Sequence, residues 1–305
     1  MSIGLSVSWN AFRYEDAEAM LAEVLALGFK EIELSFNLTV SQVEVIAAYL
    51  GPHGISVRSL HNYCPIPDGL ARKVALPDCY SLSSLDEEER SLAVRFTKRS
   101  IDTAERLSAQ AVVLHCGRVE IPDRMRDLVN LYEKGLKDSQ EFRQLRQDII
   151  RQRKETKGKF FEQALRSIDE LERYARRKNI SLGIETRFYY REIPEFEEIG
   201  IILEKFRGSK VCYWHDTGHA QVMELLGFMR HEDFLEAYSG SLGGIHIHDA
   251  LGCDDHRAPG KGEIDFLKLK PYIKKDTIKV IEAHHPATGD DLKSAKKLIE
   301  GTFDA

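Results

Sequence analysis

Residues 210–220 read KVCYWHDTGHA, a short apolar run that turns polar at its tip and passes directly into the next segment. Strand alternation places Cys212, Trp214 and Asp216 on one face. A buried strand whose inward series ends in a carboxylate is informative, because an isolated ionised group in an apolar interior costs several kcal/mol. The pattern recurs outward in both directions. Short apolar runs lie at 3–8, 30–35, 55–61, 111–115, 180–185, 243–248 and 278–283, separated by stretches with helical spacing such as Ala19, Met20, Glu23, Val24 and Leu27 before Gly28. Eight strand-then-helix units predict a single α/β domain over residues 1–305, a (β/α)8 barrel with its site at the C-terminal face of the strands.

Barrel geometry turns strand ends into a site prediction, since residues two apart share a face and inward ones converge on one cavity. Val57, Ser59 and His61 share parity, as do Val113 and His115; Gly183, Glu185 and Arg187; His246 and His248; and Val280, Glu282 and His284. Each series becomes polar at its end, and Glu33 ends the second strand in the same manner. An uncompensated cluster of buried acids and imidazoles is unstable, so something must neutralise it. Divalent metal does so with the fewest assumptions. Mixed His and carboxylate donors without thiolate favour Zn or Mn, then Co or Fe, with Mg disfavoured as histidines accumulate.

Composition narrows the function classes. The 43 Lys+Arg against 49 Asp+Glu give a formal charge of -6, with no bulk attraction to nucleic acid or to an anionic membrane. Cys64, Cys79, Cys116, Cys212 and Cys253 are odd in number and lack CxxC spacing, which predicts free thiols in a reducing cytoplasm. The start MSIGLSVSWNAF lacks a basic region followed by a long apolar core, and no apolar run approaches the roughly 18 residues of a membrane span. Residues 62–85, rich in Pro and Ser, read as a loop over the barrel mouth. The charged stretch 123–179 reads as a helical insertion of two long helices broken near Gly158, a solvated face, a flap or a homodimer contact.

The segments GIETR (183–187), HDTGHA (215–220), GIHIHDA (244–250), DDHRAPGKGEIDF (254–266) and VIEAHH (280–285) together resemble the xylose-isomerase-like TIM-barrel superfamily of sugar-phosphate isomerases and epimerases, inosose dehydratases and endonuclease IV. The resemblance implies that Glu185, Asp216, His246 and Glu282 hold a shared metal ion. His219 corresponds to the histidine three residues after the aspartate. Ketose 3-epimerases carry an arginine where this chain has His256, whereas Asp254-x-His256 before PGKG resembles endonuclease IV. With His61 and His115 also matching, that likeness implies up to three metals, with additional ligands His61, His115, His219, Asp254 and His256. HNYCP (61–65) does not resemble the loop that the nuclease inserts into DNA.

The favoured reading is a metal-dependent isomerase or epimerase acting on a small sugar, polyol or sugar phosphate through an enediolate-type intermediate, with Glu185 and Glu282 exchanging a proton on opposite faces of one carbon. Arg187, His248, Arg257 and Trp214 are the candidate substrate contacts. Arg257 and Lys261 flank the PG turn, and Trp9 is a further candidate wall. Cys64 and Cys116 sit beside His61 and His115 but lack a paired base outside the cluster. The alternatives are an endonuclease IV-like phosphodiesterase and a non-catalytic metabolite-binding barrel.

Overall fold

A computed structural model describes residues 2–304. Strands β1 (Gly4–Ser6), β2 (Glu31–Leu34), β3 (Ser56–His61), β4 (Ala111–Leu114), β5 (Ser181–Glu185), β6 (Val211–Asp216) and β7 (Leu242–Ile247) run parallel in sequence order. An antiparallel hairpin of β8 (Asp249–Leu251) and β9 (Asp254–Arg257) follows, and β10 (Ile278–Ile281) then pairs with both β7 and β1 to close the barrel. Each expected run contains a barrel strand, with ends within two residues of the expected ones. The hairpin is an addition that apolar periodicity did not reveal, because β9 is wholly polar, β8 has only three residues, and both lie outside the barrel wall.

Helices occupy the intervening stretches, and their starts follow from capping chemistry. Asp16 caps α1 (Ala17–Ala26) by accepting from the Glu18 N–H, and Thr39 with Gln42 forms a reciprocal capping box on α2 (Val40–His53). Asp86 caps α3 (Glu87–Arg106). Then come α4 (Met125–Glu133), α5 (Gln140–Arg177), α6 (Phe196–Lys205), α7 (Thr217–Leu225), α8 (His231–Tyr238), a 3-10 segment at Phe266–Tyr272 and α9 (Gly289–Asp304). Among the described residues no helix is long and apolar enough to cross a membrane.

The expected break near Gly158 is corrected. The chain turns instead between α4 and α5, where Gly135 takes φ +73°, and α5 runs unbroken through Gly158. A glycine inside a helix costs only about 1 kcal/mol, and packing at both ends of α5 exceeds that. Phe160, Ala164, Ile168 and Leu171 join the layer against the barrel, while Phe142, Leu145 and Ile149 pack with Met125, Leu128 and Leu226. Between these contacts the buried Arg153 donates to both carboxylate oxygens of Glu198, at 2.9 and 2.7 Å, and to the Glu192 carbonyl at 2.8 Å.

Inside the barrel, Trp214 is fully buried beside Ala111, Val113 and Val280. Its ring needs space that only glycine leaves: a Cβ on Gly183 of β5 would approach it to 2.7 Å, and one on Gly244 of β7 to 2.2 Å. Gly244→Ala is therefore expected to destabilise the fold by about 1–3 kcal/mol through overpacking. Gly158→Ala, where an added Cβ meets nothing within 4 Å, is expected to stabilise it by about 0.5–1 kcal/mol. Urea unfolding of the two variants checks the opposite signs.

Candidate metal centre

Strand pairing continues just past the strand tips, with Thr186 N–H donating to the Trp214 carbonyl and Glu282 N–H to the Ile247 carbonyl. This backbone grip fixes where the terminal side chains project. At their meeting point lies His246, whose ring packs edge-on to Trp214 at 5.4 Å. His246 Nδ1 is 2.7 Å from Glu185 Oε1, 2.8 Å from Glu282 Oε2 and 3.8 Å from Asp216 Oδ2. Its Nε2 lies 3.0 and 3.1 Å from the two oxygens of Glu33, which also accepts from Ser59 at 2.7 Å. All four carboxylates and the imidazole are buried.

The electrostatics follow from that crowding. Burial alone would depress the His246 pKa, but Glu282, Glu33 and Glu185 outweigh it and hold the imidazole well above its ordinary range. Burial raises Glu185, Asp216 and Glu282 in turn and is again overcome. Arg187 with His115 and His246 keeps Glu185 well below the usual carboxylate range, His219 and His248 do so for Asp216, and His246 does so for Glu282. Glu185, Asp216 and Glu282 are thus held toward their ionised forms and His246 toward its protonated one.

Glu185, Asp216, His246 and Glu282 each offer one donor atom, and these atoms lie within 4.8 Å of one another. Three carboxylates and one imidazole form a mixed oxygen and nitrogen donor set suited to a divalent ion. The second proton of His246 is positive charge held where such a cation would sit, so the residues fit the group. Ligation requires that proton to leave.

Surrounding contacts orient the donors, as supporting groups do around metal sites. Asp216 ends β6 and caps α7, its Oδ1 accepting from the His219 N–H at 2.7 Å. His248 is resolved into the same role: its Nδ1 accepts from the His256 N–H at 2.8 Å, and its Nε2–H donates to Asp216 Oδ1 at 2.8 Å. Both ring nitrogens are committed, so His248 orients Asp216 and does not face the cavity as a substrate contact.

Three further groupings adjoin the first: His61 with His115 and Glu185; Asp216 with His219, His248 and His256; and His256 with Glu282 and His284. The structure thus brings His61, His115, His219 and His256 to the mouth. Asp254 is not among them. Its side chain is 63% exposed and pairs with Arg257, while the adjacent Asp255 reaches inward to His256 Nδ1 at 3.0 Å and His219 Nε2 at 3.6 Å. The register shift in the hairpin and the positive φ of His256, +53°, turn the chain so that Asp255 takes the inward place. Burial would lower the pKa of His256, but Asp255 outweighs it and lifts it to about 9. His256 stacks between His248 and His284 at 4.1 and 4.0 Å.

Two substrate-contact expectations are corrected. Arg257 is spent on Asp254, and Trp214 lies beneath the site inside the barrel rather than on its wall. Likewise Lys261 pairs with Asp291, and Trp9 Nε1 donates to the Ala287 carbonyl. Burial pushes the Cys116 thiol up to about 12 and that of Cys64 higher still, which leaves both protonated. Above the donors opens a cavity of ≈ 260 Å³, walled by Phe36, Phe188 and Tyr189 and reached by Arg187, Glu185 and Glu282. Those aromatic walls were missed because they lie on loops, where periodicity carries no signal.

Residues 21–301 match the xylose isomerase-like TIM-barrel family, and the chain belongs to it. An uncharacterized protein of Methanocaldococcus jannaschii is 25% identical over 235 residues, covering 75% of this chain and 71% of that relative. A D-tagatose 3-epimerase-like protein shares the fold over 100% of this chain and 97% of its own, with a TM-score of 0.70 at 17% identity. An L-ribulose 3-epimerase does so over 100% and 95%, with a TM-score of 0.69 at 17% identity.

Because His246 must lose a proton to ligate, adding Zn or Mn to chelator-treated protein near pH 7 is expected to release about one proton per ion bound, and apparent affinity should climb by about tenfold per pH unit below the folded pKa. Titration in weakly buffered solution with a pH indicator measures this; binding without proton release contradicts the assignment of His246.

Proposed function

We propose that the protein is a metal-dependent epimerase or isomerase of a small ketose, polyol or sugar phosphate. One observation carries this reading: Glu185 and Glu282 lie within 2.7–2.8 Å of the same nitrogen of His246 and both open onto one cavity. The 3-epimerases that share the fold support it. Glu185, Asp216, His246 and Glu282 would hold the ion, for which Zn or Mn suits the donors best and Co, Fe or Mg are alternatives. Such an ion supplies a Lewis acid that polarises a carbonyl and steadies the negative charge left when a neighbouring proton is removed.

The chain's own residues supply the rest. Glu185 and Glu282 stand on β5 and just beyond β10, separated by β6 and β7 in the ring. A sugar carbon placed between them presents one face to each. For return on the opposite face one acid starts ionised and the other carries a proton taken up from solvent: the first accepts the substrate's proton, the second delivers its own, and the pair resets by exchange with water. For return on the same face the acid so formed gives its proton back. Return on the opposite face inverts the carbon; return at the adjacent carbon moves the carbonyl. Phe36, Phe188 and Tyr189 exclude water from the charge that develops, and Arg187 offers planar donors to a hydroxyl or phosphate. The cavity volume falls below the roughly 300–1,000 Å³ of drug-sized pockets, which suits a small substrate. Five free thiols fit work in a reducing compartment such as the cytoplasm.

The test is proton exchange. Metal-loaded protein incubated in deuterated water with a panel of free and phosphorylated ketoses should place deuterium on a carbon adjacent to the carbonyl, read by NMR. Glu185→Gln and Glu282→Gln should each slow exchange by about 10²–10⁴-fold, the contribution of a positioned proton-transfer group. Silence across the whole panel overturns the proposal.

A further inference from the structure

We infer that Arg187 takes the place of a second divalent ion at the barrel mouth, so that His61 and His115 neighbour a guanidinium and do not ligate metal. This rests on the metal centre proposed above and fixes how many ions Glu185 serves. His61, His115 and Glu185 have the spacing of a metal site. Arg187 Nη1 nevertheless lies inside that group, 2.6 Å from His115 Nε2 and hydrogen-bonded to Glu185 Oε2. Glu185 is thereby divided between two cations: Oε1 faces His246 in the four-residue cluster, and Oε2 faces Arg187. A carboxylate bridging two metals makes the same division, one oxygen to each ion. Here the second recipient is covalently part of the chain.

Two observations support the assignment independently. A metal-ligating histidine ordinarily donates its other ring N–H to a carboxylate, carbonyl or water. His115 Nε2 lies 2.6 Å from Arg187 Nη1 and 3.0 Å from Glu185 Oε2, while its Nδ1, a buried atom, has no hydrogen-bond partner. Nothing orients His115 as a ligand. Arg187 is also held in place. It is 8% exposed, and its Nη2 lies 3.3 Å from Glu192 Oε1. Glu192 is fixed in turn, its Oε2 accepting from the Tyr189 N–H at 3.1 Å and its carbonyl from Arg153 at 2.8 Å. A guanidinium so anchored remains charged at every pH the protein survives, and it repels a divalent ion from the nitrogen it already occupies.

The experiment counts metal and detects coupling. Chelator-stripped wild type, Arg187→Ala, Arg187→Lys, His115→Ala and the Arg187→Ala/His115→Ala pair are reloaded with Mn, desalted and analysed for bound ions and by electron paramagnetic resonance. Arg187→Ala should bind one more ion per chain than wild type and show a spin-coupled Mn pair bridged by Glu185. The gain should vanish in the double variant and be absent in Arg187→Lys, which keeps a cation. A folded Arg187→Ala protein with no extra ion overturns the inference. So does a His115→Ala protein that binds one ion fewer than wild type, and this comparison decides the matter alone if Arg187→Ala does not fold. The underlying metal-centre reading fails separately, if Asp216→Asn and Glu282→Gln leave the wild-type metal content unchanged.

Discussion

One imidazole surrounded by four carboxylates governs the upper half of this barrel. His246 touches Glu185, Glu282 and Glu33 within about one hydrogen-bond length and stands 3.8 Å from Asp216, all of them buried. Four acids in that volume repel one another unless positive charge lies among them, and in a low-dielectric interior that repulsion is large. The charge must therefore be central, and the surroundings serve to keep it so. Trp214 supports the His246 ring from below, which is why β5 and β7 carry glycine where the indole passes. Ser59 holds Glu33, and the start of α7 together with His248 holds Asp216. The fold's interior and its chemistry meet at that ring.

The part of this arrangement legible in the sequence was the part that strand alternation controls. Glu185, Asp216, His246 and Glu282 stand at strand tips, where two-residue parity and parallel closure fix direction, and those rules depend only on backbone geometry. Legibility failed where local backbone departs from regular form. Asp254 and Asp255 are neighbours of like chemistry, and only the hairpin's register shift with the positive φ of His256 decides which points inward. Gly158 looked like a break because propensity is local, whereas the contacts that carry α5 through it come from α4, α7 and the barrel side. Trp214 looked like a wall because parity gives direction but not depth. Ring depth depends on the opposing glycines, which lie on other strands.

The histidines divide by what holds their second nitrogen, a distinction no residue count conveys. His219 donates from Nδ1 to the Thr186 carbonyl and leaves Nε2 free toward Asp255; His61 is similarly held by the Asn62 carbonyl at 3.2 Å. His248 has no free nitrogen, and His115 has an unsatisfied one. These three states correspond to different capacities: a ring with one nitrogen anchored leaves the other open to a further partner, a ring with both engaged can only orient its neighbours, and a ring whose Nδ1 is unpartnered is held by its Nε2 contacts alone.

That division bears on how many ions the mouth of this barrel could gather. The strand-end donors Glu185, Asp216, His246 and Glu282 form a place for one cation, and whether the adjoining histidines could gather more depends on what fills the space between them. In this chain the residue two positions beyond Glu185 is an arginine, aimed inward by the same parity that aims Glu185 and braced by Glu192 from the following loop. A fixed monovalent charge there leaves Glu185 ionised and satisfies its outer oxygen. It also keeps planar donors at the edge of the cavity that Phe36 and Phe188 help to wall. On the inference above, whether the grouping of His61, His115 and Glu185 gathers an ion of its own or a guanidinium is thus decided by one side chain, on the strand that already carries Glu185.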